Sequence, residues 1–325
     1  MSEVKIGFVG AGGNARGHMG RLGEIEEARI VAISDVVEEK AKEAAAEHGA
    51  TAYTDYHAML DSEELDALYV SVPPFAHTDA EVLAAQAGLH LFVEKPVVLE
   101  MEKGFEILEA IKEAGVLSCV GYQVRLADAT QRAKAYLADK TVAMISSHRW
   151  GGLPGTAWWR VMEQSGGQLV EQTTHQVDLM RYITGDEVVE VYAKYATRTM
   201  GDLENFTIPD SQVAVFEFAS GTLATLSTSP MMTQGGGKSD LVFLLRDQML
   251  GWSAGGLTLT PGGDPELEAE PRETPSIDEM LVEAILKGDQ SLIPCSYEEG
   301  LRSCDVTLAA NESAATGKPV KPKMS

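Results

Sequence analysis

The stretch "VKIGFVGAGGNARGH", residues 4–18, runs as an apolar strand pattern into a glycine turn and then into helical spacing. Its turn, Gly10-Ala11-Gly12-Gly13-Asn14-Ala15, has G-x-G-x-x-A spacing, and each small residue has a separate task. The first glycine makes the tight turn, the second lets backbone approach a pyrophosphate, and the small last residue lets helix and strand pack closely. The helix N-terminus then offers its N–H groups to phosphates. A second strand, "RIVAISD", ends at Asp35, about 20 residues beyond the glycines, where a carboxylate accepts from a ribose diol. No arginine follows in "SDVVEEK", residues 34–40, so a 2′-phosphate would meet like charge and NAD is favoured over NADP. The alternative leaves the glycines as a turn and Asp35 as a helix cap.

Outward from this turn, short β-branched runs alternate with helical patterns up to residue 123. "VKIGFVG", "RIVAISD", "ATAY", "DALYVSV", "LHLFVEKP" and "VLSCVGY" are the runs, and the order βαβ predicts a doubly wound parallel sheet covered on both faces. Glycines after "EEKAKEAAAEH", "TDAEVLAAQA" and "MEKGFEILEAIKEA" suit helix C-caps. The fourth strand ends in "SVPPFAH", which puts Pro73, Pro74 and His77 at the carboxyl edge, where open α/β sheets bind ligands. The fifth ends there with Glu94 and Lys95, and Pro96 confines the Lys95 backbone to extended geometry.

From residue 124 to 325 the rhythm changes. "VAMISSHRW", "VVEVYAKYAT", "DSQVAVFEFASGTLATLSTSP" and "DLVFLLRDQMLGWS" read as longer, antiparallel strands, with a hairpin at Ser220-Gly221. The expectation is an α+β domain with one large, mainly antiparallel open sheet, following a Rossmann domain at residues 1–123. "TPGGDPELEAEPRETPS", residues 260–276, reads as a solvated acidic loop.

At 325 residues, two domains are expected. The formal net charge of −23 disfavours nucleic acid and anionic membranes, which need a basic footprint. The apolar N-terminal stretch lacks a basic flank and a cleavage-type site, so the expected address is the cytoplasm. Cys119, Cys295 and Cys304 have no metal-type or disulfide-type spacing and read as reduced packing residues. No metal is expected.

A Rossmann half with G-x-G-x-x-A, a fifth strand closing in Glu94-Lys95-Pro96, a following sheet domain and the tail "AATGKPVKP" together resemble the glucose-fructose oxidoreductase and inositol dehydrogenase family, also written Gfo/Idh/MocA. The resemblance covers essentially the whole chain. It implies that "SGGQLVEQTTHQVD", residues 165–178, carries the family's third pattern, with Glu171 in the place of an aspartate and His175 as the histidine. On one continuous helix, Glu171, His175 and Asp178 would share a face. "GYQVR" resembles the family's post-strand segment and would put Tyr122, Gln123 and Arg125 near the substrate, and the family's Lys-Pro bond is often cis. In "SSHRWGGLPGTAWWRVMEQSGG", Trp159 and Arg160 are the best candidates to face a sugar, through ring faces and oxygen ligands. Each has a plain packing role as its alternative.

The expected reaction is hydride transfer between NAD and a secondary hydroxyl of a sugar, inositol or related polyol. His175 would take the hydroxyl proton, and Lys95 would donate to the same oxygen. The reverse assignment, with Lys95 as acid/base beside a cationic nicotinamide, fits the sequence equally. An NAD-dependent glycosidase of the same fold and a non-catalytic NAD-binding sensor are the competing functions. A homodimer or homotetramer formed through the second sheet is expected, because an open sheet face needs cover.

Overall fold

A computed structural model describes residues 3–264, 266–267, 269–270 and 272–325. The chain divides into two compact units. The first comprises Met1–Gln123 and Pro275–Leu301, and the second Val124–Thr274 and Arg302–Ser325.

In the first unit, β1 (Val4–Val9), β2 (Ala28–Ser34), β3 (Thr51–Tyr53), β4 (Ala67–Val70), β5 (His90–Val93) and β6 (Ser118–Val120) form a sheet in the order β3-β2-β1-β4-β5-β6. Every pairing is parallel. The strands β1, β4, β5 and β6 are almost wholly buried, β4 at all four residues, which is why they read as continuous apolar runs, whereas the edge strand β3 is largely exposed. The order reverses between β1 and β4, so the glycine turn after β1 and the Pro73 segment after β4 open side by side at the switch point. Gly49 and Gly115 end their helices in the left-handed conformation, as their positions predicted.

One boundary differs from the contiguous 1–123 and 124–325 division. Residues 275–301 return to the first unit because they satisfy the outer edge of β6. Gln290 brackets Ser118, its Oε1 accepting the Ser118 N–H at 3.0 Å and its Nε2 donating to the Ser118 carbonyl at 3.1 Å. The Cys295 carbonyl accepts the Val120 N–H at 2.9 Å. An exposed edge strand is thereby paired off. The returning helix, Ile277–Lys287, starts with a capping box between Ser276 and Glu279.

In the second unit, β7 (Met144–Trp150), β8 (Val188–Ala196), β9 (Ser211–Phe218), β10 (Leu223–Ser229), β11 (Lys238–Leu244), β12 (Met249–Ser253) and β13 (Gly256–Thr260) form one sheet in the order β13-β12-β11-β7-β10-β9-β8. All pairs are antiparallel except β10 with β7. That single parallel pair follows from the long crossover between the two strands. The predicted hairpin joins β9 to β10, with Gly221 at φ 88°. One face carries Ile145, Ala214, Phe216, Ala224, Leu226, Leu241, Phe243 and Leu250 into the core. The other face alternates outward, as in β9, where buried and exposed residues take turns. Of the acidic segment 260–276, Pro265, Glu268 and Pro271 lie outside the described residues. No described helix is long and apolar enough to cross a membrane.

Candidate functional site

The glycine turn has the shape its spacing demands. Gly10 has φ 97°, and a Cβ there would stand 2.2 Å from the Ser71 carbonyl oxygen, so only glycine fits. A Cβ on Gly12 or Gly13 would meet nothing within 4 Å. The backbone at these two residues therefore faces open space at the start of the helix Gly13–Leu22, which no side chain caps. Asn14 and Ala15 lie in that helix's first turn. Asp35 spans the turn, its Oδ2 accepting the Ala11 N–H and its Oδ1 the Val37 N–H, each at 2.8 Å. Open glycine backbone beside a helix N-terminus, with a half-buried carboxylate at the second strand's end, fits a dinucleotide.

After β4, Pro73 is half-buried and Pro74 buried. His77 hydrogen-bonds through Nδ1 to Glu81, and this pair is buried at side-chain exposures of 2% and 0%. His77 Nε2 is enclosed without a partner among the described residues. Glu94, expected beside the cofactor, is instead buried: its Oε1 pairs with His18 Nε2 at 2.8 Å and its Oε2 accepts the Lys95 N–H at 3.1 Å. Lys95 itself is half-buried, and the Lys95–Pro96 bond is cis. Tyr122 is 1% exposed, so its ring packs rather than facing solvent as a substrate ligand would.

In the second unit, Gly166 at φ 71° and Gly167 at φ 86° turn the chain into the short helix Gly167–Glu171. The expected single helix through Asp178 is broken. The Thr173 N–H reaches back to the Gln168 carbonyl at 2.9 Å, ending the first helix, and Thr174–Thr184 begins anew. Glu171 and His175 thus lie on successive helices, and the three-residue face does not form. Glu171 is buried, accepting from Trp159 Nε1 at 2.5 Å and from Gln172 Nε2 at 2.7 Å. Trp159 is 1% exposed and packs with Met200, Phe206 and Ile208, which removes it from the sugar-facing set. Asp178 takes Arg125 in a buried bidentate pair, Nε to Oδ2 at 2.8 Å and Nη2 to Oδ1 at 2.6 Å, with Ser303 Oγ donating to Oδ1 at 2.7 Å. Arg125 and Asp178 bind each other instead of a ligand. Arg160 remains half-buried, with Nε enclosed and unpartnered among the described residues.

Half-buried His175 is flanked by anchored residues whose partners sequence reasoning missed. Thr228, Arg149 and Ser239 stand in one register row across β10, β7 and β11. Gln172 accepts from Arg149 Nη2 at 3.3 Å, Thr173 Oγ1 meets Thr228 Oγ1 at 2.7 Å, and Gln176 donates to Ser239 Oγ at 2.9 Å. Three polar anchors therefore pin the helix junction on either side of His175. Arg149, in "SSHRW", was visible only as an arginine near a strand's end.

His18 was also missed. It is 4% exposed on the apolar face of the first helix, with Nδ1 2.7 Å from Asp278 Oδ1. Burial opposes its charge, but the hydrogen bonds and charges of Asp278 and Glu94 outweigh burial and raise its pKa to about 9. Among the described residues, no three or more His, Cys, Asp or Glu side chains gather as a metal site. Cys119, Cys295 and Cys304 are buried.

Comparison with known proteins agrees with both units. Residues 4–122 match the family described as "Oxidoreductase family, NAD-binding Rossmann fold", and residues 132–243 match the "GFO/IDH/MocA C-terminal domain". An uncharacterized oxidoreductase, YrbE, of Bacillus subtilis is 27% identical over 98% of this chain and 96% of its own. The myo-inositol 2-dehydrogenase of Thermotoga maritima is 29% identical over 71% of this chain and 70% of its own. Among solved structures, the WlbA dehydrogenase of Bordetella pertussis, in complex with NADH and UDP-GlcNAcA, superposes with a TM-score of 0.85 at 24% identity, covering 98% of both chains. With its open glycine turn, its Glu94-Lys95-Pro96 strand end and both domains matched, the chain belongs to the Gfo/Idh/MocA family of oxidoreductases, enzymes built on an NAD-binding Rossmann fold.

Proposed function

We propose that this oxidoreductase is an NAD-dependent dehydrogenase acting on a secondary hydroxyl of a sugar, inositol or related polyol. The observation that carries the reading is Lys95, which follows the end of β5 in the same unit as the open glycine turn and is held at its backbone by Glu94. The names of relatives, an inositol dehydrogenase and a dehydrogenase with a bound sugar nucleotide, support the substrate class.

Gly12, Gly13 and the first helical turn would hold the pyrophosphate, and Asp35 the adenosine ribose diol. NAD bound there supplies the hydride acceptor. Asp35, followed by Glu38 and Glu39 at the start of the next helix, disfavours a 2′-phosphate, so we assign NAD rather than NADP. In the oxidation, the carbinol hydrogen would leave as hydride to the acceptor that NAD supplies and the O–H proton would go to His175, giving a carbonyl. Lys95 donates to the oxygen and stabilises its developing negative charge. Arg160 and Arg149 are the second unit's cationic groups for substrate oxygens, and Glu171 acts on His175 through the helix junction. Three buried cysteines without metal-type or disulfide-type spacing suit a reducing compartment such as the cytoplasm. We further propose a homodimer or homotetramer formed through the outward face of the second sheet.

The test is NADH formation across inositols, aldoses, sugar acids and small diols, with Lys95→Ala and His175→Ala alongside. A rate confined to one stereochemical group, lost in both variants and larger with NAD than NADP, is expected. An unchanged rate in Lys95→Ala would remove its role, and glycoside cleavage without net NADH would mark a hydrolase.

A further inference from the structure

We propose that His18 is a positioning residue for Lys95, acting through Glu94 and itself oriented by Asp278; the inference rests on the reading of Lys95 as the group that meets the substrate oxygen.

The geometry is a continuous line of buried polar atoms within the first unit. Asp278 Oδ1 meets His18 Nδ1 at 2.7 Å, His18 Nε2 meets Glu94 Oε1 at 2.8 Å, and Glu94 Oε2 accepts the Lys95 backbone N–H at 3.1 Å. Side-chain exposures along it are 0% for Asp278, 4% for His18 and 7% for Glu94. A buried carboxylate turned away from water takes its orientation from its donors, and His18 is the donor that fixes the far oxygen of Glu94. Glu94 is also confined sterically, because a Cβ on Gly121 would stand 2.9 Å from its Oε2. The near oxygen is thereby aimed at the peptide that carries Lys95.

Other groups face His18 from each neighbouring element. Arg21, one helical turn on, donates from Nε to Asp278 Oδ2 at 2.5 Å and places Nη2 2.9 Å from His18 Nδ1. Tyr69 of β4 and Phe92 of β5 pack their rings at 5.9 and 4.5 Å from the imidazole. A neutral imidazole has one N–H and can donate to only one of its two carboxylates. With a pKa raised to about 9, His18 holds both carboxylates below that pH and releases one as pH rises through it. The line starts at Asp278, passes through His18 on the helix that follows the glycine turn and ends at Lys95, so it ties that helix to the substrate-facing amine.

The amide of Lys95 reports this line directly. Protein labelled with ¹⁵N-lysine, its Lys95 amide resonance identified by its absence in Lys95→Arg, is titrated from pH 7 to 10 by NMR, together with His18→Asn and Asp278→Asn. In the wild type the Lys95 resonance is expected to move with a midpoint near pH 9. Asp278→Asn lowers that midpoint, and His18→Asn abolishes it. With a polyol substrate, kcat falls roughly 10- to 100-fold in His18→Asn while NADH affinity changes less than about twofold. A wild-type resonance that runs flat through the range overturns the proposal, as does an inflection that survives His18→Asn. Lys95→Ala turning over like wild type would instead sink the catalytic reading of Lys95, and the titration would still decide whether His18 positions it.

Discussion

Trp159 donates its indole N–H to Glu171 Oε2 at 2.5 Å, inside an apolar cluster where both side chains are shut away from solvent. Glu171 is thus fixed by a residue twelve positions upstream. Trp159→Phe keeps most of the ring and removes this donor, while Gln172 still donates to the carboxylate. The expected cost is about 1–3 kcal/mol of stability, with a fall in turnover, since Glu171 then loses its fixed orientation. Glu171→Gln, which keeps an acceptor oxygen for Trp159, should lose turnover with less loss of stability. Calorimetry and kcat on the two variants check this, and a Trp159→Phe enzyme identical to wild type in both would refute the anchor.

Arg125 and Asp178 make the opposite point, since a pair of charges can look like a ligand site and serve the core. Removing Arg125 leaves a buried carboxylate with Ser303 as a remaining donor. Arg125→Ala should cost about 3–5 kcal/mol, and the double change Arg125→Met with Asp178→Leu should recover most of it. Chemical denaturation decides. A substrate-binding arginine would behave differently, raising KM with stability intact.

The legible parts of this protein are the ones whose signal is local. The glycine turn, Asp35 and the Glu94-Lys95-Pro96 strand end each lie within a few residues of the pattern that identifies them. What was not legible depends on partners far along the chain. His18 and Asp278 are 260 residues apart, and nothing near either foretells the pairing. Arg125 and Asp178 are 53 apart. The break between Glu171 and His175 comes from one backbone hydrogen bond, Thr173 to Gln168, in a stretch whose apolar spacing fits an unbroken helix. Trp159 shows the same limit: its type suits both a sugar face and a core, and burial alone separates them.

Asp35 accepts one backbone N–H at each carboxylate oxygen, so a change there touches the turn as well as any ribose contact. Asp35→Asn keeps the size and one acceptor oxygen, removes the charge, and leaves one of the two backbone N–H groups without its acceptor. Hydrogen bonds to charged groups contribute about 1.5–3 kcal/mol, so NADH should bind roughly tenfold or more weakly. NADPH should gain relative to NADH, because its 2′-phosphate meets one negative charge fewer. Fluorescence titration with the two nucleotides measures both effects, and an unaltered preference would exclude Asp35 as the discriminator.

His18 gives the stability a defined dependence on pH. Its pKa is raised by folding from an ordinary value near 6.5 to about 9. The folded state therefore binds the proton more tightly than the unfolded chain. The stabilisation is complete below the unfolded value and is lost as pH rises through about 9. The urea midpoint of the wild type should fall between neutral pH and the alkaline side of that value. His18→Asn should start lower and lose this slope, and parallel curves for the two proteins would contradict the assignment.

On the outward face of the second sheet, Leu223, Met144, Leu244 and Met249 stand side by side across β10, β7, β11 and β12. Their exposures are 50%, 45%, 43% and 40%, and on β9 the row ends at the exposed Glu217 beside Leu223, with exposed Val215 and Val213 further along that strand. Such a contiguous patch is rarely left to water, and a flat face of this kind is self-complementary about a twofold axis. Met144 sits at its centre, so Met144→Glu puts a charge opposite its own symmetry mate or opposite another apolar side chain. Because the residue is half-exposed within one chain, the fold itself should lose no more than about 0.5 kcal/mol. Light scattering should show the wild type at a multiple of the chain mass and the variant at or near the single-chain mass, with the circular dichroism of both alike. A wild-type protein already monomeric at micromolar concentration would sink the face-to-face assembly, and a variant that keeps the larger mass would move the interface elsewhere.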